Sequence, residues 1–551
     1  MEKNNVQISK NLLIIIYLYL SLPIVLFFIG WCKWYIGIPA AIIVCISVFL
    51  CIREHHTDKN VGIGPCKQDI FKCLLIIIIV MCWVGLSGVG GYVWQNSDHW
   101  WRNAMFDMLV TEKWPITGSV NMGGIEQERG FVYYIGFWLP ASIIGKIAGL
   151  SAGYAAQYVW AVIGVLLVYA LICVWRKKIV IWPLILLIFF SGADIIGTLI
   201  NTNETVYIWG TEHLERWPAH YQYSSNTTQL FWVFNQAIPA WLACSLIFLS
   251  EKPRNLVFTW SLIMITSTLP FAGLVPFILF FLVSRCAWSK STSVWKLIKN
   301  LWKNWGSLQN VLGGGTVGII CLLYLLGNVS GSKIQLFSQG AGSSGGLLII
   351  LIVAIALGIA LLWGIAALFV HGYGKYVIKL GKALIVTGTV ILGSYVLLNN
   401  RVWNTYVYKL IFLSLFYLLE VGLYLICLKD KVKDKYLFYV TSIWLFIIPL
   451  IIVGSSLDFC MRASIPALFL IMLWCIQAID QKKKDLTIWV LIGFLVIGSI
   501  TPLHEMKRTL VNTKEEYVLE SVGNEVILTS DNFSGDAEGF FWEIIAKWNK
   551  K

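Results

Sequence analysis

The chain runs to 551 residues, of which 58% are hydrophobic and 13% charged, with a mean hydropathy of +0.74. That composition excludes a soluble globular protein. Repeated apolar runs of about 17–25 residues describe membrane-spanning helices, where a β-barrel would show short alternating segments. The net charge of +13 is read as basic loops on the cytoplasmic side of a membrane and not as a nucleic-acid footprint.

The 13 cysteines form no disulfide framework. Most sit singly in apolar runs, where Cys acts as a small hydrophobe, and neither CxxC nor a zinc spacing occurs. The first apolar run, Leu12 to Ile29, lacks a small-residue cleavage site and is soon followed by a second. It reads as a retained signal-anchor helix.

In chain order, hydropathy places spans near 12–30, 34–52, 72–94, 155–174, 179–200, 230–250, 256–270, 272–286, 307–327, 347–370, 383–399, 406–427, 436–454, 463–480 and 486–500. The expected fold is therefore an all-α, polytopic membrane protein of about 15 transmembrane helices, its termini on opposite sides. With the N-terminus cytoplasmic, inner segments hold 26 Lys and Arg, outer loops 10, and the tail after residue 500 holds 6. This asymmetry supports the orientation, with an extracytoplasmic C-terminus. It also decides Phe131 to Leu150, because a span there would invert every later basic loop. We read that stretch as a juxtamembrane helix on the outer surface or re-entering from it.

Two sizeable outer loops follow, near 95–154 and 201–229, and a Gly/Ser-rich one at 328–346. The last 50 residues or so read as a small outer tail with a strand at Glu525-Val526-Ile527-Leu528-Thr529. The chain divides into 1–71 (two additional helices and a basic loop), 72–250 (the loops that carry chemistry), 251–500 (further spans) and 501–551 (the tail).

Chemistry concentrates at the outer ends of helices. In the first loop, Ser97 or Asn96 can cap a helix with Asp98 in its first turn. On a helix over 98–110, Asp98 and Arg102 are four apart, as are His99 and Asn103. Asp107 is expected to face water. Acids this close to bilayer depth are costly unless used. The second loop mixes Glu212, His213, Glu215, Trp217 and Tyr221, with Gln236 at the start of the next helix. Aromatic faces with carboxylates and amides suit a carbohydrate, and are weighed against a membrane aromatic belt. Asp98, His213 and Glu215 are chemically adequate ligands for a divalent cation, but the spacing is not diagnostic. In Ser456-Leu457-Asp458-Phe459-Cys460-Met461-Arg462, Arg462 sits against the positive-inside tendency. It can fork onto a phosphate or snorkel to headgroups, with Arg401 a weaker second. Asp194 and Glu420 lie inside apolar runs as proton-relay or structural acids.

This layout resembles the GT-C superfamily of membrane glycosyltransferases. An acid, Asp98, follows an early membrane helix at the start of a long first outer loop. Tyr133-Tyr134-Ile135 through Gly149-Leu150 and the next span look like the family's continuation, and a second acidic loop follows with Glu212 and Glu215. HLERW, YQYSSNTTQLFWVFNQAIP and DFCMRASIPALF also look like stretches of bacterial polytopic proteins of this kind. Residues 72–250 carry the resemblance. Two helices precede the family's usual first one, and His99 stands where some members have a second acid. The resemblance implies a sugar on a polyprenyl phosphate as donor, a cell-surface or cell-wall glycan as acceptor, and inverting transfer at the outer face of the cell membrane. Asp98 would be the general base. Arg462, Arg102, His99 or a metal would meet the leaving phosphate, and Glu212, His213, Glu215, Trp217, Tyr221 and Gln236 would hold substrate. The alternatives are a transporter or flippase of lipid-linked sugars, or a surface-polysaccharide ligase or polymerase.

Overall fold

The computed structural model describes residues 8–55, 69–122, 124–200, 213–218, 221–249, 252–284, 294–329, 413–451, 453, 458–481, 485–513, 519–537 and 539–547. Glu212, Arg401, most of the Gly/Ser-rich loop and the expected spans at 347–370 and 383–399 lie outside them.

Eight helices among the described residues are long and apolar enough to cross a membrane: Lys10–Trp31, Trp34–Glu54, Leu150–Arg176, Trp182–Leu199, Asn226–Leu249, Gln309–Leu326, Asp458–Ile479 and Leu486–Thr513. Five shorter apolar helices accompany them, including Ile70–Leu86 and Thr268–Ser284. This is an α-helical membrane protein. Leu139–Ala148 is a 10-residue helix, too short to cross, in keeping with its reading as a juxtamembrane element. It turns back at Gly149 (φ +92°) into Leu150–Arg176. Gly145 and Gly153 let the two helices touch: a Cβ on Gly153 would lie 3.1 Å from the Gly145 Cα. Small residues at such crossings allow close backbone packing.

One of these eight, Trp182–Leu199 at the expected span 179–200, is interrupted in mid-course. Trp182–Phe189 and Asp194–Ile200 are helical, and Phe190 to Ala193 are not. A bilayer tolerates this only where neighbours take the freed backbone groups. They do so here. Asn226 donates its backbone N–H to Phe190 O (3.1 Å) and its side-chain amide to Leu187 O (2.9 Å), Thr227 Oγ1 donates to Ile188 O (2.7 Å), Tyr424 OH to Ser191 O (2.6 Å), and Ala193 N to Leu419 O (3.0 Å).

The structure corrects the purely α expectation. A three-stranded antiparallel sheet covers one end of the bundle. β1 (Thr117–Met122) and β2 (Ile125–Phe131) form a hairpin, and β3 (Ser534–Asp536) pairs Gly535 with Gly130. The tail is thus part of the body. Lys547 N donates to Trp31 O (2.8 Å), Lys33 N to Ile545 O (2.8 Å) and Val522 N to Trp100 O (3.3 Å). The expected strand at Glu525–Thr529 is instead a turn and a half of helix, Asn524–Thr529, burying Ile527; a short apolar run does not distinguish the two. The last span does not stop at 500, because helix continues through Ile500–Thr513.

Gly130 admits no side chain: a Cβ there would lie 2.1 Å from the Trp542 ring. Gly130→Ala is expected to cost about 1–3 kcal/mol through overpacking, read as a lower thermal unfolding midpoint in detergent. An unchanged midpoint would show that the tail does not pack on β2.

Candidate functional site

The first-loop helix is Ser97–Thr111, capped by Asn96, whose Oδ1 accepts from Asp98 N (3.1 Å). Its placement depends on a distortion elsewhere. Helix Asn226–Leu249 has a non-helical residue, Val233 (φ −140°, ψ 37°), which interrupts its backbone hydrogen-bond ladder. Just before the kink, Phe231 O accepts from Asn96 Nδ2 (3.0 Å) and from His99 Nε2 (3.0 Å). Asn103 does not pair with His99 as expected. It donates to Gln95 Oε1 (2.8 Å) and Glu520 O (2.8 Å), which docks the tail on this helix. Asp107 does not simply face water: it is half-buried and accepts from Tyr154 OH (2.9 Å).

Asp98 and Arg102 meet as predicted, Nη2 to Oδ2 at 2.8 Å. The pair is lopsided, with side-chain exposures of 40% for Asp98 and 5% for Arg102. The guanidinium lies over the Phe234 ring at 5.8 Å. The same construction recurs on helix Asp458–Ala463. Arg462 Nη2 contacts Asp458 Oδ1 at 3.0 Å, with exposures of 6% and 41%. In both pairs the acid sits in the first helical turn at the rim and the arginine points inward, four residues on. Arg102 Nη1 and Arg462 Nε find no hydrogen-bond partner among the described residues.

Between the pairs lie Tyr133 and Tyr134, with ring centroids 3.6 Å apart. Arg462 donates to the Tyr134 hydroxyl, as does Tyr133. Both guanidinium groups act on both phenols, and Arg462 also feels Asp98. Burial holds both phenols above the ordinary tyrosine value despite the arginines, so they remain neutral donors. Tyr134 already accepts two hydrogen bonds, which leaves its own proton for a third group. The arrangement offers unpaired guanidinium N–H groups, a phenol proton and two rim carboxylates. It suits an anion flanked by hydroxyls.

His99, a predicted catalytic or phosphate-binding candidate, is enclosed in the protein. It is 1% exposed, and burial, reinforced by Arg102, pushes its imidazole down to about 3. It is a neutral brace for the kink.

The second-loop residues form a separate cluster. His213 Nδ1 bonds Glu505 Oε1 (2.7 Å), and its Nε2 lies 3.2 Å from Gln222 Nε2. Glu215 Oε1 accepts from Ser225 N (2.9 Å) and Oε2 from Gln222 Nε2 (2.9 Å). Glu505 also accepts from Trp232 Nε1 (3.2 Å) and pairs with Arg508 (3.2 Å), whose guanidinium lies over both Trp94 (5.3 Å) and Trp232 (5.1 Å). Burial alone would push His213 down, but Glu505 and Glu215 outweigh it and hold the imidazole above its ordinary value.

Other predicted residues part company. Trp217 is not presented to a substrate: it is buried against Gly197 and donates to Asp194 Oδ1 (3.2 Å). Asp194 also accepts from Ser191 (3.2 Å) and Thr501 (3.1 Å), which makes it a structural acid, with Glu420 beside it. Half-buried Tyr221 packs on Phe416 at 5.5 Å. Gln236 is fully buried just past the kink, and its two amide atoms lack partners among the described residues, as do those of Asn235. The proposed metal set Asp98, His213 and Glu215 does not converge, and among the described residues no three His, Cys, Asp or Glu side chains are grouped to hold a metal.

Sequence reasoning missed Asp458, Glu505, Arg508 and Trp232 as site residues, and took Tyr133-Tyr134 only as part of a resemblance. The i,i+4 spacing of Asp458 and Arg462, the twin of Asp98 and Arg102, was the available signal. Comparison of the chain with protein-family models, curated proteins and solved structures finds no match.

The two histidines predict opposite pH slopes. His99, depressed, adds stability that is present above 6.5 and lost as pH falls toward about 3. His213, elevated, adds stability that is present below 6.5 and lost as pH rises through its raised value. Thermal midpoints across pH are expected to show His99→Gln flattening the acid limb and His213→Gln the alkaline limb. Unchanged limbs would contradict these environments.

Proposed function

We propose that this protein is a membrane glycosyltransferase, taking a sugar from a polyprenyl-phosphate donor and passing it to a surface or cell-wall glycan at the outer face of the cell membrane, with the N-terminus cytoplasmic. The observation that carries the reading is the convergence of two Asp–Arg pairs on Tyr133 and Tyr134 at the end of the bundle that holds the outer loops. A lipid phosphate leaving group requires forked, partly unsatisfied donors at bilayer depth, and Arg102 and Arg462 offer them. An acceptor hydroxyl requires a carboxylate within hydrogen-bond reach, open to a ligand. Asp98 is held by Arg102 through Oδ2 and is exposed enough to meet one. Asp458 stands in the mirrored position as a second candidate.

In this mechanism the donor slides in from the bilayer with its phosphate against Arg102, Arg462 and Tyr134. Asp98 takes the proton of the attacking hydroxyl. The acceptor oxygen bonds to the anomeric carbon with inversion as the bond from that carbon to the phosphate oxygen breaks, and the charge growing on the departing lipid phosphate is met by the guanidinium groups. Glu215, His213 and Arg508, with Trp232 and Trp94, line the neighbouring cluster that supports the acceptor side.

The test is transfer by purified protein from a panel of polyprenyl-phosphate sugars. Asp98→Asn is expected to lower kcat by roughly 10²–10⁴-fold, the range for a general base. Arg462→Lys keeps the charge but loses the fork. It is expected to raise the donor KM by roughly ten- to a hundredfold, the equivalent of a charge-assisted hydrogen bond. A folded Asp98→Asn protein with full activity removes the base. Movement of the donor across liposomes without chemistry would replace the enzyme by a flippase.

A further inference from the structure

A second feature lies at the opposite end of the bundle. Val294–Trp305 is a 12-residue helix of sequence VWKLIKNLWKNW. It stands between two apolar helices, Thr268–Ser284 and Gln309–Leu326, so it runs at a membrane boundary. It is too short and too charged to cross. At 3.6 residues per turn, Lys299 and Lys303 fall within roughly 40° of arc, with Asn300 and Asn304 beside them. Apart from Lys296, the remaining positions are Val, Leu, Ile and Trp. A short helix with one apolar face, lysines on the other and tryptophans at the flank is built to lie in a lipid interface.

The described part fits that use. Lys299 and Lys303 are exposed, and neither has an acidic partner among the described residues. Trp302 is 55% exposed and meets Trp305 edge to face at 5.6 Å. The residues just after the helix anchor it to the bundle: Ser307 Oγ donates to Arg254 O, and Asn310 Nδ2 to Pro253 O (2.8 Å), while Asn310 Oδ1 accepts from Val257 N (3.1 Å). Arg254 faces Glu54 at 3.5 Å, at the end of the helix that also carries Arg53. Charge decides the occupant. Between Glu251 and Glu420 the sequence contains no acidic residue at all. The nearest acid at this end, Glu54, is taken by Arg254, and Lys299 and Lys303 have no acidic partner among the described residues. At a membrane boundary the available anions are phospholipid headgroups.

We infer that the Val294–Trp305 helix is a binding surface for anionic phospholipid headgroups, holding them with Lys299 and Lys303 while its tryptophans sit among the acyl chains. The proposal is independent of the sugar-transfer reading.

The test uses the full chain in a neutral detergent, with phosphatidylglycerol or phosphatidylcholine of the same acyl length titrated into the micelles. Phosphatidylglycerol is expected to raise the thermal midpoint, in a manner weakened by salt, and phosphatidylcholine is not. In K299Q/K303Q the half-saturating mole fraction of phosphatidylglycerol is expected to rise by roughly fivefold per lysine removed, the equivalent of ~1 kcal/mol each. K299R/K303R is expected to retain the wild-type response, and the midpoint of K299Q/K303Q in neutral lipid to be unchanged. Equal gains from the two lipids, protection by inorganic phosphate alone, or a K299Q/K303Q protein that responds like wild type would each overturn the proposal. So would a change in oligomeric state of that variant with no change in lipid response, which would assign the face to a second copy of the chain.

Discussion

A single carbonyl organises the candidate site. Phe231 O lies where helix Asn226–Leu249 kinks at Val233, deep among apolar side chains, and an unsatisfied carbonyl there would cost several kcal/mol. Asn96 and His99 supply the donors. That bond pair fixes the first turn of the Ser97–Thr111 helix, and so the position of Asp98 one residue before His99. From the same stretch of backbone, Phe234 stacks on His99 (5.4 Å) and lies beneath Arg102, while Trp232 reaches Glu505. The two polar clusters are thus held in register by one distorted stretch of helix, although they come from segments far apart in sequence.

The two clusters differ in where their acids sit, buried around His213 and exposed around Tyr134. Around His213 every carboxylate is matched: Glu505 has a histidine, an arginine and an indole, and Glu215 has a backbone amide and Gln222. Such a network rigidifies. Arginine donors are left over in both clusters, Arg508 Nε beside Glu505 as well as Arg102 Nη1 and Arg462 Nε, and what sets the Tyr134 cluster apart is that both its acids stand at the rim. Leaving N–H groups of a buried cation unmet is unfavourable in an isolated protein.

Much of this was legible in the sequence, for reasons that can be named. Asn96 before an acidic first turn announced the helix start, and the spacing of Asp98 and Arg102 announced their contact. Arg462 drew attention because a cation beside an outer membrane face is out of place. Other features were hidden. Hydropathy reports where apolar character ends and not where a helix ends, so the continuation through Glu505 and Arg508 read as tail. Residue type does not say which way a ring faces, and Trp217, expected at a sugar, is packed inside on Asp194. Val-Ile-Leu at 526–528 suits a strand or a helix turn equally. The kink at Val233 has no breaker at its own position, and the side chains that meet the Phe231 carbonyl beside it come from another segment, which no single window of sequence contains.

The sheet that joins β3 to β2 has a bearing on how the molecule is made. Lys33 Nζ reaches Glu543 O across 510 residues of chain (2.9 Å), and Glu520 O anchors Asn103 on the helix that carries Asp98. Contacts of such long range form late, because loop closure precedes any gain from them. During synthesis the segment that carries Asp98 and Arg102 is made first and must wait for residues 519–547 before these contacts can close. The site is therefore the last part of the protein to be finished, and a chain halted after its final apolar helix would carry every predicted site residue and still lack the clasp that holds them.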